Sequence, residues 1–200
     1  MLTHSHAGVS LVELMIGLAI LSLLLVLGMP SFTIYLQNSK LRSAADTLYA
    51  SMQEARAEAV RHNAQVEFVL TDDDPTIANV DTVTPSPTGH NWLLRLVVAP
   101  PAPDSRFIDG KSGNEGSGQA QGVTPWVTLN GGAVSSVIFN GLGNLFTPTT
   151  TATFTITPPD PSLCVANGGT LRCLNVVVSV GGTARMCDPA VTAVGDTRKC

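Results

Sequence analysis

Glu13 is the only charge between Val9 and Met29, and it stands near the start of an apolar run that continues through Leu14, Ile16, Leu18, Ile20, Leu23 and Leu27. As a helix rising ~1.5 Å per residue, residues 9–29 reach roughly 30 Å, the thickness of a bilayer's hydrocarbon core. A carboxylate in such a span costs about 2.5–3.5 kcal/mol on insertion scales, so the chemistry open to Glu13 is that of an ion-pair acceptor awaiting a cation. The obvious cation is a freshly made α-amine. A secretory signal has an apolar core of about 7–15 residues followed by a small-residue cleavage site. This run is longer and is closed by Pro30-Ser31-Phe32 with no A-x-A pattern, so any cut is expected before it.

Two further groups could do chemistry. Cys164, Cys173, Cys187 and Cys200 crowd one end of the chain, and a domain sent out of the cytoplasm by the anchor would keep them as disulfides. Sequence permits three pairings. Cys164–Cys173 and Cys187–Cys200 are favoured, because each closes a short loop of turn-formers: Asn167-Gly168-Gly169 in one, Asp188-Pro189 and Gly195-Asp196 in the other. A zinc site would need ligand spacing that the chain lacks: it has no C-x-x-C pair, and His62 and His90 are remote. The second group is cationic. Arg185, Arg198 and Lys199 would be drawn to one edge of the domain if Cys187–Cys200 closes, and this end would be locally positive although the formal net charge is −4.

Gly8 before the cut, Val9 as the new first residue, Glu13 as the fifth and Pro30 as the twenty-second resemble the N-terminus of type IV pilins and pseudopilins. The resemblance implies that a prepilin peptidase cuts after Gly8 and N-methylates Val9. It also implies that Glu13 pairs with the N-terminal amine of a neighbouring subunit during assembly. Val9 departs from the usual phenylalanine, and the leader has no Lys or Arg, so orientation rests on the motif rather than on charge.

These residues need elements to position them. With 200 residues, 44% hydrophobic and 13% charged, the chain has room for one folded domain beyond the anchor. Pro30 has no N–H for the carbonyl of Val26, and Gly28 is beside it, so a kinked but continuing helix is expected. Leu41, Ala45, Leu48, Met52, Ala55 and Ala59 are spaced by alternating fours and threes, one apolar stripe that should lie on a sheet, and the stripe ends near His62-Asn63. Alternation and turn residues predict strands at Gln65–Leu70, Trp92–Val98, Trp126–Leu129, Val134–Phe139, Ala152–Thr157 and Leu174–Val180. Residues 71–90 and 100–125 read as two long loops. Asp72-Asp73-Asp74 lacks the alternating ligand spacing of a calcium loop and reads as a solvated turn, and Gly113 to Gly122 reads as a flexible tip.

The helix Leu41 to Asn63, with its block Ala55-Arg56-Ala57-Glu58-Ala59, is similar to that of the GspH/FimT family of minor pilins and pseudopilins. So are Phe139-Asn140-Gly141-Leu142-Gly143 and a closing strand that ends at Cys187-Asp188-Pro189. The expectation is therefore an α+β chain. A long N-terminal helix, transmembrane in its first half and amphipathic in its second, packs on an antiparallel β-sheet domain. Residues 1–8 are leader, 9–30 the transmembrane and filament-core helix, and 31–200 a periplasmic β-rich pilin domain with amphipathic helix 31–62. No G-x-S-x-G or H-E-x-x-H motif occurs, and only His62 and His90 would survive leader removal. The chain reads as a non-enzyme without cofactor or metal. The resemblance implies a single-pass inner-membrane protein that joins a pilus or pseudopilus, with prepilin peptidase and other pilins or pseudopilins as partners. The expected role is a minor pilin in an initiating or tip complex. The alternatives are a minor pseudopilin of type II secretion and a DNA-binding minor pilin for transformation. For DNA, the family's Gly-Arg-x-Arg motif falls on Gly182-Thr183-Ala184-Arg185, which keeps one arginine; with Arg198 and Lys199 it would bind DNA weakly.

Overall fold

The helical periodicity is realised in α1 (Leu11–His62). The computed structural model describes residues 10–101, 105–113 and 127–200, and for 25–30 the backbone alone. Contacts divide the chain into residues 1–37 and 38–200.

In the first unit the helix leaves its apolar side chains uncovered on every side, from Leu11 to Leu24. The hydroxyl of Ser22 donates to the carbonyl of Ala19 at 2.9 Å, so this polar group is satisfied within the helix. Among the described residues no helix is long and apolar enough to cross a membrane. Of the expected span, Val9 and the side chains of 25–30 lie outside the described residues. The helix continues through Pro30, whose side chain is among those not described.

The second unit begins on α1 and, among the described residues, adds nine strands in two antiparallel sheets rather than one. The first sheet runs β3 (Phe107–Lys111), β2 (Asn91–Leu96), β1 (Val66–Thr71), β5 (Ser136–Phe139), β6 (Leu145–Thr147). The second runs β4 (Thr128–Asn130), β7 (Ala152–Thr157), β8 (Leu174–Val178), β9 (Ala184–Cys187). The expected stripe is the buried one: Leu41, Ala45, Leu48, Met52, Ala55 and Ala59 are all removed from solvent. The two sheets meet in one core, to which α1 is hydrogen-bonded. Phe68 of β1 lies 6.3 Å from Trp92 of β2 and 5.8 Å, edge to face, from Phe154 of β7, and Trp92 Nε1 donates to Ser51 Oγ of α1 at 2.9 Å. The helix stops in a Schellman turn. Asn63 takes φ +46, its N–H donates to Val60 and that of Ala64 donates to Ala59, closing carbonyls that the helix end would leave open.

β3 and β6 lie outside the strands that the sequence predicts. β3 falls in the expected loop 100–125, where Arg106 to Lys111 alternates too weakly to read as a strand; its partner β2 supplies the pairing. β6 is three residues long, too short for periodicity to show. The stretch between β1 and β2 is also more than a loop. Val80 and Val83 cover Val69, Leu93 and Phe107 on the face of the first sheet opposite Phe68. Two arginines fasten it there, with Arg95 and Arg106 both donating to the carbonyl of Val80 and Arg106 paired with Asp81. Asp73 holds the turn, its carboxylate accepting from the backbone of Thr84 at 2.7 Å. Among the described residues no group of three or more His, Cys, Asp or Glu is placed to hold a metal ion. Residues 114–122 of the expected tip lie outside the described residues.

Candidate functional site

Glu13 lies in the first turn of α1, where unpaired N–H groups and the helix dipole favour a carboxylate. Its neighbours Leu11, Val12, Leu14, Met15 and Ile16 are each more than half exposed. The result is a carboxylate on an otherwise apolar helical surface, a surface that needs lipid or other helices to cover it. Gly8 and Val9, the expected cut and methylation positions, lie outside the described residues.

At the other end, Cys164 is joined to Cys173 and Cys187 to Cys200. The second bond returns the tail to the edge strand β9. Asp188 N donates to the carbonyl of Arg198 at 2.7 Å, Lys199 bridges Asp188 in parallel, and Gly195, at φ +88, makes the reversal. Asp196 then acts as a hook: it accepts from the backbone N–H of Arg198 at 2.9 Å and from its guanidinium at 2.7 and 3.1 Å. The hydrogen bond from the Arg198 side chain, followed by the one from its backbone, lowers the Asp196 carboxyl to about 2.

The tail therefore brings Arg185, Arg198 and Lys199 together, but two of the three are engaged. Arg185 donates to the backbone oxygens of Lys199 and Cys200 at 2.9 and 3.5 Å, and Arg198 is tied to Asp196. An open groove beside them is lined by Asn38, Arg42, Arg172, Met186, Asp188 and Arg198. Here Arg42 stands 3.6 Å from Asp46 and Arg198 is paired with Asp196, while among the described residues no carboxylate pairs with Arg172. The edge is consequently a mixed polar surface rather than a cationic platform. Local sequence showed the cations; the engagement of Arg185 depends on where the disulfide lays the tail.

A family model described as "Type II transport protein GspH" matches residues 44–182. A second, the "Prokaryotic N-terminal methylation motif", matches residues 3–29. Among solved structures, the type IV minor pilin FimU of Pseudomonas aeruginosa PAO1 is similar at 22% identity, covering 76% of this chain and 91% of that one, with a TM-score of 0.49. The minor pseudopilin EpsH from the Type 2 Secretion System of Vibrio cholerae is similar at 12% identity, covering 76% and 99%, with a TM-score of 0.45. No curated protein matches the chain.

Proposed function

The chain belongs to the type II transport protein GspH family and carries the N-terminal methylation motif, and from that premise we propose that it is a minor pilin of a type IV pilus, placed in the complex that initiates or tips the filament. The observation that carries the reading is Glu13 in the first turn of a helix whose apolar side chains are uncovered all round. A free-standing anchor has no use for an intramembrane carboxylate, whereas a subunit delivered beside another N-terminal amine does. Residues 9–30 hold the unassembled chain in the inner membrane by a single span, with 31–200 in the periplasm, where the two disulfides persist. On assembly the same helix enters the filament core. The protein acts by building a structure and not by catalysis.

A second reading, a minor pseudopilin of a type II secretion system, is favoured by the family's own description. The closing stretch Arg185-Met186-Cys187-Asp188-Pro189 resembles the pilus branch and tips the choice.

Mass spectrometry of the chain co-expressed with a prepilin peptidase tests the common part: the mature protein is expected to begin at N-methylated Val9. A mature chain that retains Met1 would sink both readings. Deletion of the gene separates them, with loss of surface pili expected for the first and loss of protein secretion with pili intact for the second.

A further inference from the structure

Where α1 ends, four large apolar side chains face solvent: Val60 on α1, Leu142 in the turn between β5 and β6, Phe146 on β6, and Val180 in the turn between β8 and β9. Leu142 is 80% exposed and the other three about half. The backbone mounts them rigidly. Arg56 Nε donates to the carbonyl of Gly143 at 2.9 Å, drawing that turn onto α1, so that a Cβ on Gly143 would stand 3.1 Å from Val60 Cγ2. Leu145 N donates to the carbonyl of Val180 at 3.0 Å, tying edge strand β6 to the turn of the other sheet. The two turns approach so closely that a Cβ on Gly182 would fall 1.8 Å from the Gly143 oxygen. Polar groups border the patch, Arg56 against Gly143 and Asn63 against Gly141.

An exposed apolar patch with a polar rim marks an interaction surface, and a preorganised mount lowers the entropic cost of docking. We propose that Val60, Leu142, Phe146 and Val180 form the face on which the globular domain of a neighbouring pilin-type subunit docks. This rests on the filament reading above and names a contact within it. The occupant follows from size. Four partly exposed side chains fall well short of the roughly 800 Å² per partner that a self-standing complex buries. Such a face is too small to hold a dimer in solution. It becomes effective once a separate contact has confined the two domains to an effective concentration of about millimolar. The apolar N-terminal half of α1 supplies that contact in a filament, and the same helix carries Val60.

The test places a photo-crosslinking residue at Leu142 or Val180 of the full-length chain in cells that assemble the filament. Ile77, also exposed but on the stretch between β1 and β2, is the control position. Adducts with a second pilin-type subunit are expected from Leu142 and Val180, weak or absent from Ile77, and lost with Glu13→Ala. A chain present in purified filaments that gives no adduct from Leu142, or as much from Ile77, overturns the docking face and leaves the filament reading standing. A chain absent from filaments overturns both. In parallel, Leu142→Glu is expected to reduce incorporation about tenfold, the loss of one good anchor residue, while the membrane pool is undiminished. Unchanged incorporation argues against the face.

Discussion

Single residues decide two features of this domain. Gly182 adopts φ +74 and lies against the carbonyl of Gly143, so a side chain there meets both backbone strain and a backbone atom that must move. Gly182→Ala is expected to destabilise the protein by about 2–3 kcal/mol, at the upper end for a strained backbone position; denaturant unfolding of the detergent-solubilised chain measures it. Asp196 is the second. Its carboxyl is lowered in the folded protein from an ordinary 3.8 to about 2, so the hook's contribution is fully present above the unfolded value and is lost as pH falls from about 4 to about 2. An NMR titration is expected to show the Asp196 carboxyl and the Arg198 guanidinium moving together in that window and the β1 amides unmoved. A midpoint near the ordinary value would show that the hook is not formed in solution.

At the scale of elements, the tail is held to β9 by one covalent bond and a few hydrogen bonds, since residues 192–200 bury little. Closing a loop of roughly 15 residues contributes about 3 kcal/mol in the chain-entropy model. Replacing Cys187 and Cys200 together by serine is expected to release the tail, and hydrogen exchange reads this out as fast exchange at Asp188 and Lys199, with β7 and β8 still protected. Slow exchange at Asp188 in that variant would mean that the hydrogen bonds suffice alone. α1 behaves differently. Its stripe from Leu41 to Ala59 is removed from solvent, so that stretch of the helix belongs to the core of the second unit.

For the whole molecule, the net charge of −4 and the matched charges at the tail bear on DNA. With Arg198 tied to Asp196, the cations left to meet phosphates at that edge are Arg172 in the groove, Arg185, once it leaves its backbone acceptors, and Lys199. Three phosphate contacts give a slope near −3 in a plot of log affinity against log salt. Duplex binding by the full-length chain is expected to be weak, indifferent to sequence, and undetectable at physiological salt in a gel-shift or anisotropy assay. Tight binding with a steeper slope would require a cationic surface other than this edge.

Patterns local in the chain carried much of this. The N-terminal methylation motif over residues 3–29, the 41–59 stripe and the end of α1 at His62-Asn63 were legible in sequence, because such motifs, helical periodicity and helix-stop residues are short-range signals. The favoured cysteine pairs follow the same logic of short loops. What needed the tertiary structure were arrangements made by distant residues. The division into two sheets depends on which strands pair, and β3 becomes a strand only because β2 lies beside it. The burial of Val80 and Val83 depends on arginines from β2 and from the residue before β3. The engagement of Arg185 depends on a tail fourteen residues away. In each case the deciding energy is a contact between segments far apart in the chain, and no local pattern records it.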